Sequence, residues 1–589
     1  MLRDFINSIV SKAVQSLIAE HGWPATLLDL VELQDTKNPE HGDFACNFAL
    51  VASKQVGKPP REIGEMLLAA LSNERSLTAE LAGPGFVNIR VAANAVASFA
   101  KAVLECGPER LASNGVTKTG RRVNIEFVSV NPNGPITVGS GRNAAYGDAL
   151  SRVLEAAGDD VDREYYINDG VNSEQMRLFA ESVRHYYLNS LGKPSAFPEK
   201  GYKGDYVQDV AAKLRELYGD GKTDENVGWF QNVSQELMIE RQRGDLAAFG
   251  IQYTTWFSEQ SLHDSGEVEV ALQTLIKNGA ADKEPYSEEI VREGKESKVV
   301  RKEEEPGPLW LRATRFGDDK DRVLTRSDGR PAYIAADVAY MYDKLHTRKY
   351  DKSMIILGPD HHGYVARMNA VRAALGFTEE RFEIVIYQIV RFVKDGESAP
   401  MRKRDGNIYE LRDLITELGQ KFTPEGTLEQ QTVAGRDAAR WFYLMRSHET
   451  HLDFDIDLAA KHGDDNPLFY VQYAHARISG VLRKAAAEGY SLEGFDPALI
   501  TDPKELALIR KICDLPFEAK RCRVDYGVHR IATYCTELAR LYHTFYDSCR
   551  VINPDNLELT KARLAVCRCA QIGLQAGLAL LGISAPETM

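Results

Sequence analysis

Eight cysteines in 589 residues make no C-x-x-C pair, and the nearest two, Cys567 and Cys569, are separated by a single residue inside a helix-like segment. That pattern gives no structural zinc site and points to a reduced, cytoplasmic protein. Long apolar runs are missing too. The longest, Ile572 to Ile583, is interrupted by Gln575 and is too short to span a bilayer, so it reads as a buried helix. The start of the chain carries Asp4 and lacks a basic stretch before an apolar core, which argues against a secretory signal. There is no low-complexity tract and no fixed-period repeat. With 44% hydrophobic and 27% charged residues, the composition is that of a globular protein, and its length suits three or four domains. Basic residues are in the minority, and the net charge is −13. Net charge governs solubility and steering, however, whereas RNA contact depends on local patches. The basic stretches are Lys344–Lys349, Arg402–Arg404, Arg483-Lys484, and Arg510-Lys511 with Lys520, Arg521 and Arg523.

What is present is a strand–loop–helix unit. Val123–Val130 reads as a strand, Asn131–Pro135 as a turn, and Ile136–Asp148 as the opening of a helix. Ala145, Ala149, Leu150, Val153 and Leu154 then repeat at helical spacing. A second strand, Val161–Ile167, completes a βαβ unit. Gly139 and Gly141 stand at the helix N-terminus, where free N–H groups and the helix dipole favour phosphate. Gly139-x-Gly141-x-x-Ala144 also fits a dinucleotide fingerprint, with Asp159, Asp160 and Asp162 about twenty residues on. In that fingerprint the first glycine almost abuts the strand; here eight residues separate it from Val130. The spacing suits class I aminoacyl-tRNA synthetases better, where a proline-containing loop and H-x-G-H lead into the helix.

The chain resembles a bacterial arginyl-tRNA synthetase along nearly its full length. The matching stretches stand in the family's order: His41–Ala45, Gly83–Asn88, Ile125–Pro132, Tyr166–Asp169, Phe316–Val323, Ala335–Tyr340, Gly358–Tyr364, Met401–Arg404, Asp465–Pro467, Tyr470–Arg477 and Ala585–Glu587. One departure is serious. Where the family carries H-x-G-H, this sequence reads Thr137-Val-Gly-Ser140, without either histidine.

The resemblance implies ATP-dependent attachment of L-arginine to tRNA(Arg) through an arginyl-adenylate, with Mg²⁺ arriving on the ATP, and a monomer that usually needs tRNA for activation. It also implies site residues. Glu126, Asn131, Tyr333, Asp337 and His361 would hold arginine. Gly139, Gly141, Arg142, His361, His362, Met401 and Lys403 would face ATP. Thr137, Gly139, Ser140, Lys403 and Arg404 would serve the reaction. Glu126 is informative by itself, because a buried carboxylate in an apolar strand needs a partner; a cationic ligand and an internal Arg or Lys both satisfy it. Tyr333 and Asp337, four apart on a helix-like segment, share one face. His361-His362 with Asp360 suggests a metal, but adjacent side chains on extended backbone point apart and chelate one ion poorly. Pro400–Arg404 stands where class I enzymes carry K-M-S-K-S, and retains Lys403 and Arg404.

The expected architecture is α/β: a split Rossmann-like core with an N-terminal α+β domain and a C-terminal all-α bundle. Residues 1–112 read as the family's added tRNA-binding domain, 113–455 as the core with a helical insertion at about 175–310, and 456–589 as the anticodon-binding domain. The charged stretch Glu288–Glu305 reads as a hairpin or mobile loop. In the last domain, Asn466-Pro467 forms a helix cap and first turn. Ile531, Cys535, Leu538, Tyr542, Phe545 and Cys549 form a core stripe. Tyr470, Tyr473, His475, Arg477, Arg483 and Lys484 are the candidate RNA contacts.

Overall fold

Val123, Ile125, Met354 and Ile356 have no polar atom in their side chains and are almost fully buried, as a strand covered on both faces requires. The computed structural model describes residues 1–36, 38–170, 174–283, 287–293, 296–302, 307–399 and 408–589. They divide into two compact units: 1–118 with 156–158 and 462–589, and 119–155 with 159–461.

The second unit is built on a five-stranded parallel sheet. Its elements are β1 (Arg122–Glu126), α1 (Val138–Ala156), β2 (Asp160–Ile167), α2 (Glu174–Ser190), α3 (Asp205–Tyr218), α4 (Val227–Ala248), β3 (Thr255–Ser258), α5 (Tyr333–Tyr342), β4 (Lys352–Leu357), α6 (His362–Ala374) and β5 (Phe382–Ile386). The strand order is β5-β4-β1-β2-β3, with every pair parallel. From β1 the chain builds outward through β2 and β3, then returns to the other side for β4 and β5. The order therefore reverses between β1 and β4, and a crevice opens at the carboxyl ends of those two strands.

Two details differ from the sequence reading. The first strand ends at Glu126 instead of running to Val130. Val128 and Ser129 have φ of 70° and 44°, a conformation a β-branched residue adopts only under constraint. The constraints are visible: Asn143 accepts from Val128 N at 3.2 Å, Ser129 Oγ accepts from Tyr166 N at 3.1 Å, and Tyr253 donates to the Phe127 carbonyl at 3.0 Å. The second difference is β3, a sheet strand lying inside the stretch read as insertion. Helices α2–α4, before it, pack around their own core of Phe179, Tyr187, Tyr206, Leu214 and Phe230. The charged stretch that follows contains an antiparallel hairpin, Ser287–Glu293 against Glu296–Lys302.

In the first unit, strands 33–35, 44–46, 86–91 and 77–82 form an antiparallel sheet in that order. The C-terminal part is helical, over 467–487, 503–513, 515–525, 529–548 and 557–580. Asn466 caps the first of these, accepting from Leu468 N at 3.0 Å, with Pro467 in the first turn. Ile531, Cys535, Leu538, Tyr542, Phe545 and Cys549 are all buried, so the stripe is core. Among the described residues no helix is long and apolar enough to cross a membrane.

Candidate active site

Helix α1 starts at Val138 on one side of the crevice, and α6 starts at His362 on the other, so two helix N-termini flank the point where the strand order reverses. The turn into α1 is clamped by the chain that precedes residues 411–422: Val138 N donates to the Tyr409 carbonyl at 3.1 Å, Leu411 N to the Ile136 carbonyl at 2.9 Å, and Thr137 bridges Glu410. Tyr443 donates to the Val138 carbonyl at 2.8 Å. Thr137 and Ser140 are half-buried on this turn, with their hydroxyl oxygens 3.4 Å apart.

Two residues expected to face ATP are tied into the packing around this turn. Arg142 is 1% exposed, and its guanidinium donates to the carbonyls of Gln388 (2.7 Å), Thr450 (2.9 Å) and Ser447 (2.7 Å). Burial lowers its pKa to about 10, which leaves it cationic but turned away from solvent. Gly141 is small for packing reasons: a Cβ there would lie 2.6 Å from the Tyr443 ring. His361 is exposed in the turn after β4. His362 opens α6, its side chain outside the described set, and Met401, Lys403 and Arg404 lie outside the described residues.

Acidic side chains gather beside this crevice. Glu126 ends β1. Asp337 sits one helical turn after Tyr333 on α5, and Glu259 directly follows β3. Asp337 accepts from the Tyr364 hydroxyl at 2.9 Å. Burial, with Glu259 and Glu126 nearby, pushes its carboxyl up to about 7 despite Tyr364 and Arg367. Glu259 is also raised, chiefly by burial and against a hydrogen bond from Tyr166. Tyr333 is 81% exposed on a cleft of about 450 Å³ lined also by Asn168, Glu259, His263, Arg326 and Arg330. Asp337 and Glu259, buried beside other carboxylates so that their protons are held more tightly, form a site that favours a cation.

Asn131 is exposed, donating to Gln175 at 2.9 Å and accepting from Asn168 at 3.1 Å. The residue that fixes its loop was missed: Gln242, on α4 and fully buried, donates to the carbonyls of Asn131 (3.2 Å) and Gly134 (2.7 Å) while accepting from Tyr165 (3.0 Å). Nothing in the sequence marks it except a polar residue on the buried face of a helix. Glu259, which lines the cleft with Tyr333, and Tyr364, which donates to Asp337, were missed as well, although Tyr364 closes a motif and Glu259 follows a strand. Glu126 itself has an internal cation, with Lys344 Nζ 2.6 Å from its Oε2. Lys344, read above as part of a basic patch, is 1% exposed.

In the first unit, Tyr470, Tyr473 and Arg477 are half-buried on helix 467–487. The Arg477 guanidinium lies 4.6 Å from the Tyr473 ring centre and donates to Tyr473 Oη (2.9 Å) and His543 Nδ1 (3.1 Å). Arg483 and Lys484 are exposed. His475 is not: it is fully buried, with Nδ1 2.8 Å from the Pro586 carbonyl, and it anchors the C-terminal segment. Arg483 and Lys484 both have an acidic neighbour, Glu587 3.7 Å from Arg483 and Glu488 3.9 Å from Lys484, and the basic residues further along are paired too, Arg510 with Asp43 (3.2 Å), Lys511 with Glu537 (2.6 Å) and Lys520 with Asp4 (3.2 Å).

A model of the class I (R) tRNA synthetase catalytic domain matches residues 109–425, one of the arginyl tRNA synthetase N terminal domain matches 4–91, and one of the DALR anticodon binding domain matches 471–589. The chain belongs to the arginyl-tRNA synthetase family. It is 39% identical to the arginine–tRNA ligase of Geobacillus kaustophilus over 95% of this chain and 94% of that one. With the arginine–tRNA ligase of Geobacillus thermodenitrificans it shares 38% over 100% and 98%. The solved Thermus thermophilus arginyl-tRNA synthetase superposes over the full length of both chains with a TM-score of 0.74 at 21% identity, a likeness of fold. Membership makes this an ATP-using class I ligase and accounts for the division into catalytic, N-terminal and DALR regions.

Proposed function

We propose that this synthetase activates L-arginine with ATP at the β1/β4 crevice and passes the arginyl group from the adenylate to the 3′ end of tRNA(Arg). The acidic cluster carries the reading: Glu126, Asp337 and Glu259 suit a guanidinium, which is planar, permanently charged and best met by carboxylates. Tyr333 and Asn131 complete the pocket in this reading. The substrate carboxylate then faces the turn 137–141, where it attacks the α-phosphate; little proton transfer is needed, so positioning and charge stabilisation dominate. Among the described residues no group of three or more His, Cys, Asp or Glu is arranged to hold a metal. In this reading Mg²⁺ arrives with ATP, held mostly by phosphate oxygens and water.

Thr137 and Ser140 occupy the positions of the family's two histidines in this reading. Their hydroxyls can donate to phosphate but cannot carry positive charge, so adenylate formation is slow while ATP binding is close to normal. That substitution also favours a second reading, a tRNA-binding paralogue without catalysis. Pyrophosphate exchange with arginine, ATP and tRNA present separates the two. Exchange that requires all three supports the enzyme; tRNA binding without exchange supports the paralogue.

A further inference from the structure

Inside the parallel sheet two carboxylates face each other. Glu126 of β1 is in register with Glu164 of β2, and they are 7% and 0% exposed. Buried like charges directly opposite one another repel, and each alone is costly to desolvate. The compensating cations come from one place, the π-helical turn Asp343–Thr347 that follows α5 and the residue that caps it, Arg348. The turn sets Lys344 Nζ 2.6 Å from Glu126 Oε2, 3.6 Å from Glu164 Oε1 and 3.9 Å from the centre of the Tyr340 ring. Arg348 donates to both oxygens of Glu164 and, at 2.6 Å, pairs with Asp343. The result is a row of alternating charge, Glu126–Lys344–Glu164–Arg348–Asp343, with three carboxylates to two cations. Both ends are carboxylates, and the Glu126 end lies at the carboxyl end of the central strand. Among the described residues none donates a hydrogen bond to Glu126 Oε1. Helix α5, which carries Tyr333 and Asp337, runs directly into the turn that carries Lys344.

We propose that Lys344 is a positioning residue for amino-acid recognition: its ammonium grips Oε2 of Glu126, fixes the plane of that carboxylate and leaves Oε1 for the guanidinium of the substrate. The proposal rests on the reading of Glu126 as an arginine ligand. An ammonium suits this task because it is a point donor, whereas an arginine at the same position would cover both oxygens with its fork. Single-turn π segments are uncommon and concentrate at functional sites, and here Lys344, the second residue of the turn, is buried.

The test uses the full chain and tRNA-supplemented pyrophosphate exchange, with KM for arginine and for ATP measured separately. Lys344→Met is expected to raise the arginine KM about tenfold or more and to leave the ATP KM within about twofold. Combined with Glu126→Gln it is expected to add nothing further to the arginine KM, because Lys344 reaches the substrate only through Glu126. Should Lys344→Met fail to fold, Lys344→Arg keeps the charge and is expected to raise the arginine KM by occupying Oε1; a merely structural cation would leave that KM unmoved. An unchanged arginine KM in the folded Lys344 variants, or effects of Lys344→Met and Glu126→Gln that multiply, overturns the proposal. An unchanged arginine KM in Glu126→Gln alone overturns the underlying reading of Glu126, and the proposal with it.

Discussion

The hydroxyl oxygens of Thr137 and Ser140 lie 3.4 Å apart on the turn that opens α1. Two donors so close can converge on one phosphate oxygen, and neither can add charge as negative charge shifts during attack. Losing one well-aimed donor costs about 2.7–4 kcal/mol, or 10²–10³ in rate. Two losses in one site do not simply add. The combined change Thr137→His with Ser140→His should therefore raise the activation rate at least about tenfold in pyrophosphate exchange, with the ATP KM little changed. A fast wild type that gains nothing from the histidines would mean that other groups meet the phosphate.

Asp337 supplies a pH signature. Its carboxyl is held up to about 7, first by burial and then by Glu259 and Glu126, against the Tyr364 hydrogen bond and Arg367. The folded value lies above the ordinary one, so its contribution to stability is complete below about pH 4 and is lost as pH rises through about 7. A guanidinium pairs with the ionised form, so arginine affinity should climb with pH through the same range and level off above it. Arginine KM measured from acid to mildly alkaline pH should fall accordingly, and Asp337→Asn should flatten that component. An identical profile in wild type and variant would remove Asp337 from the pocket.

For RNA, Arg477, Arg483 and Lys484 should differ. Arg483 and Lys484 are exposed charges, and replacing each by Gln should weaken tRNA binding evenly and reduce its salt slope by about one for every phosphate left without its cation. Arg477 is already committed to Tyr473 and His543, so Arg477→Met should also disturb the aromatic surface formed by Tyr470 and Tyr473. Titrations of tRNA across a salt series would show this, and unchanged affinity in all three variants would move the phosphate-binding surface to another face.

Gly141→Ala should destabilise the catalytic unit, because the added methyl meets the Tyr443 ring at 2.6 Å. Overpacking of this kind costs about 1–3 kcal/mol. Tyr443→Leu, which removes the ring, should recover part of the loss when the two are combined. Thermal unfolding of the single and double variants is the measurement. Equal losses that simply add would show that the two positions do not meet.

The fold was legible because its signals are local and periodic. The strand–turn–helix at 123–148 and the strand before Gly358 announce a sheet whose ligands gather at strand ends, and the aromatic stripe at 531–549 announces a helical core. Thr255–Ser258 was not legible as a sheet strand, since four residues carry no period and its neighbour β2 is distant in sequence. The site was legible where a residue's type conflicts with its setting, as with Glu126 in an apolar strand. Arg142 misled for the opposite reason: a cation after a glycine pair suggests phosphate, and only the tertiary fold reveals that three carbonyls occupy it. Lys344 misled likewise, because a cluster of basic letters says nothing about which of them face inward.

Helix α4 grips two places at once. Gln242 holds the carbonyls of Asn131 and Gly134, and the adjacent Arg241 binds Glu410 through both oxygens, at 3.0 and 2.8 Å. Glu410 is in turn the bridging partner of Thr137. The inserted helices are thus a splint across a break in the catalytic surface. A chimera that exchanges α2–α4 with those of another family member, or a shortened enzyme without them, must therefore carry over the loop at 131–140 and the segment around 410 as one inseparable cassette.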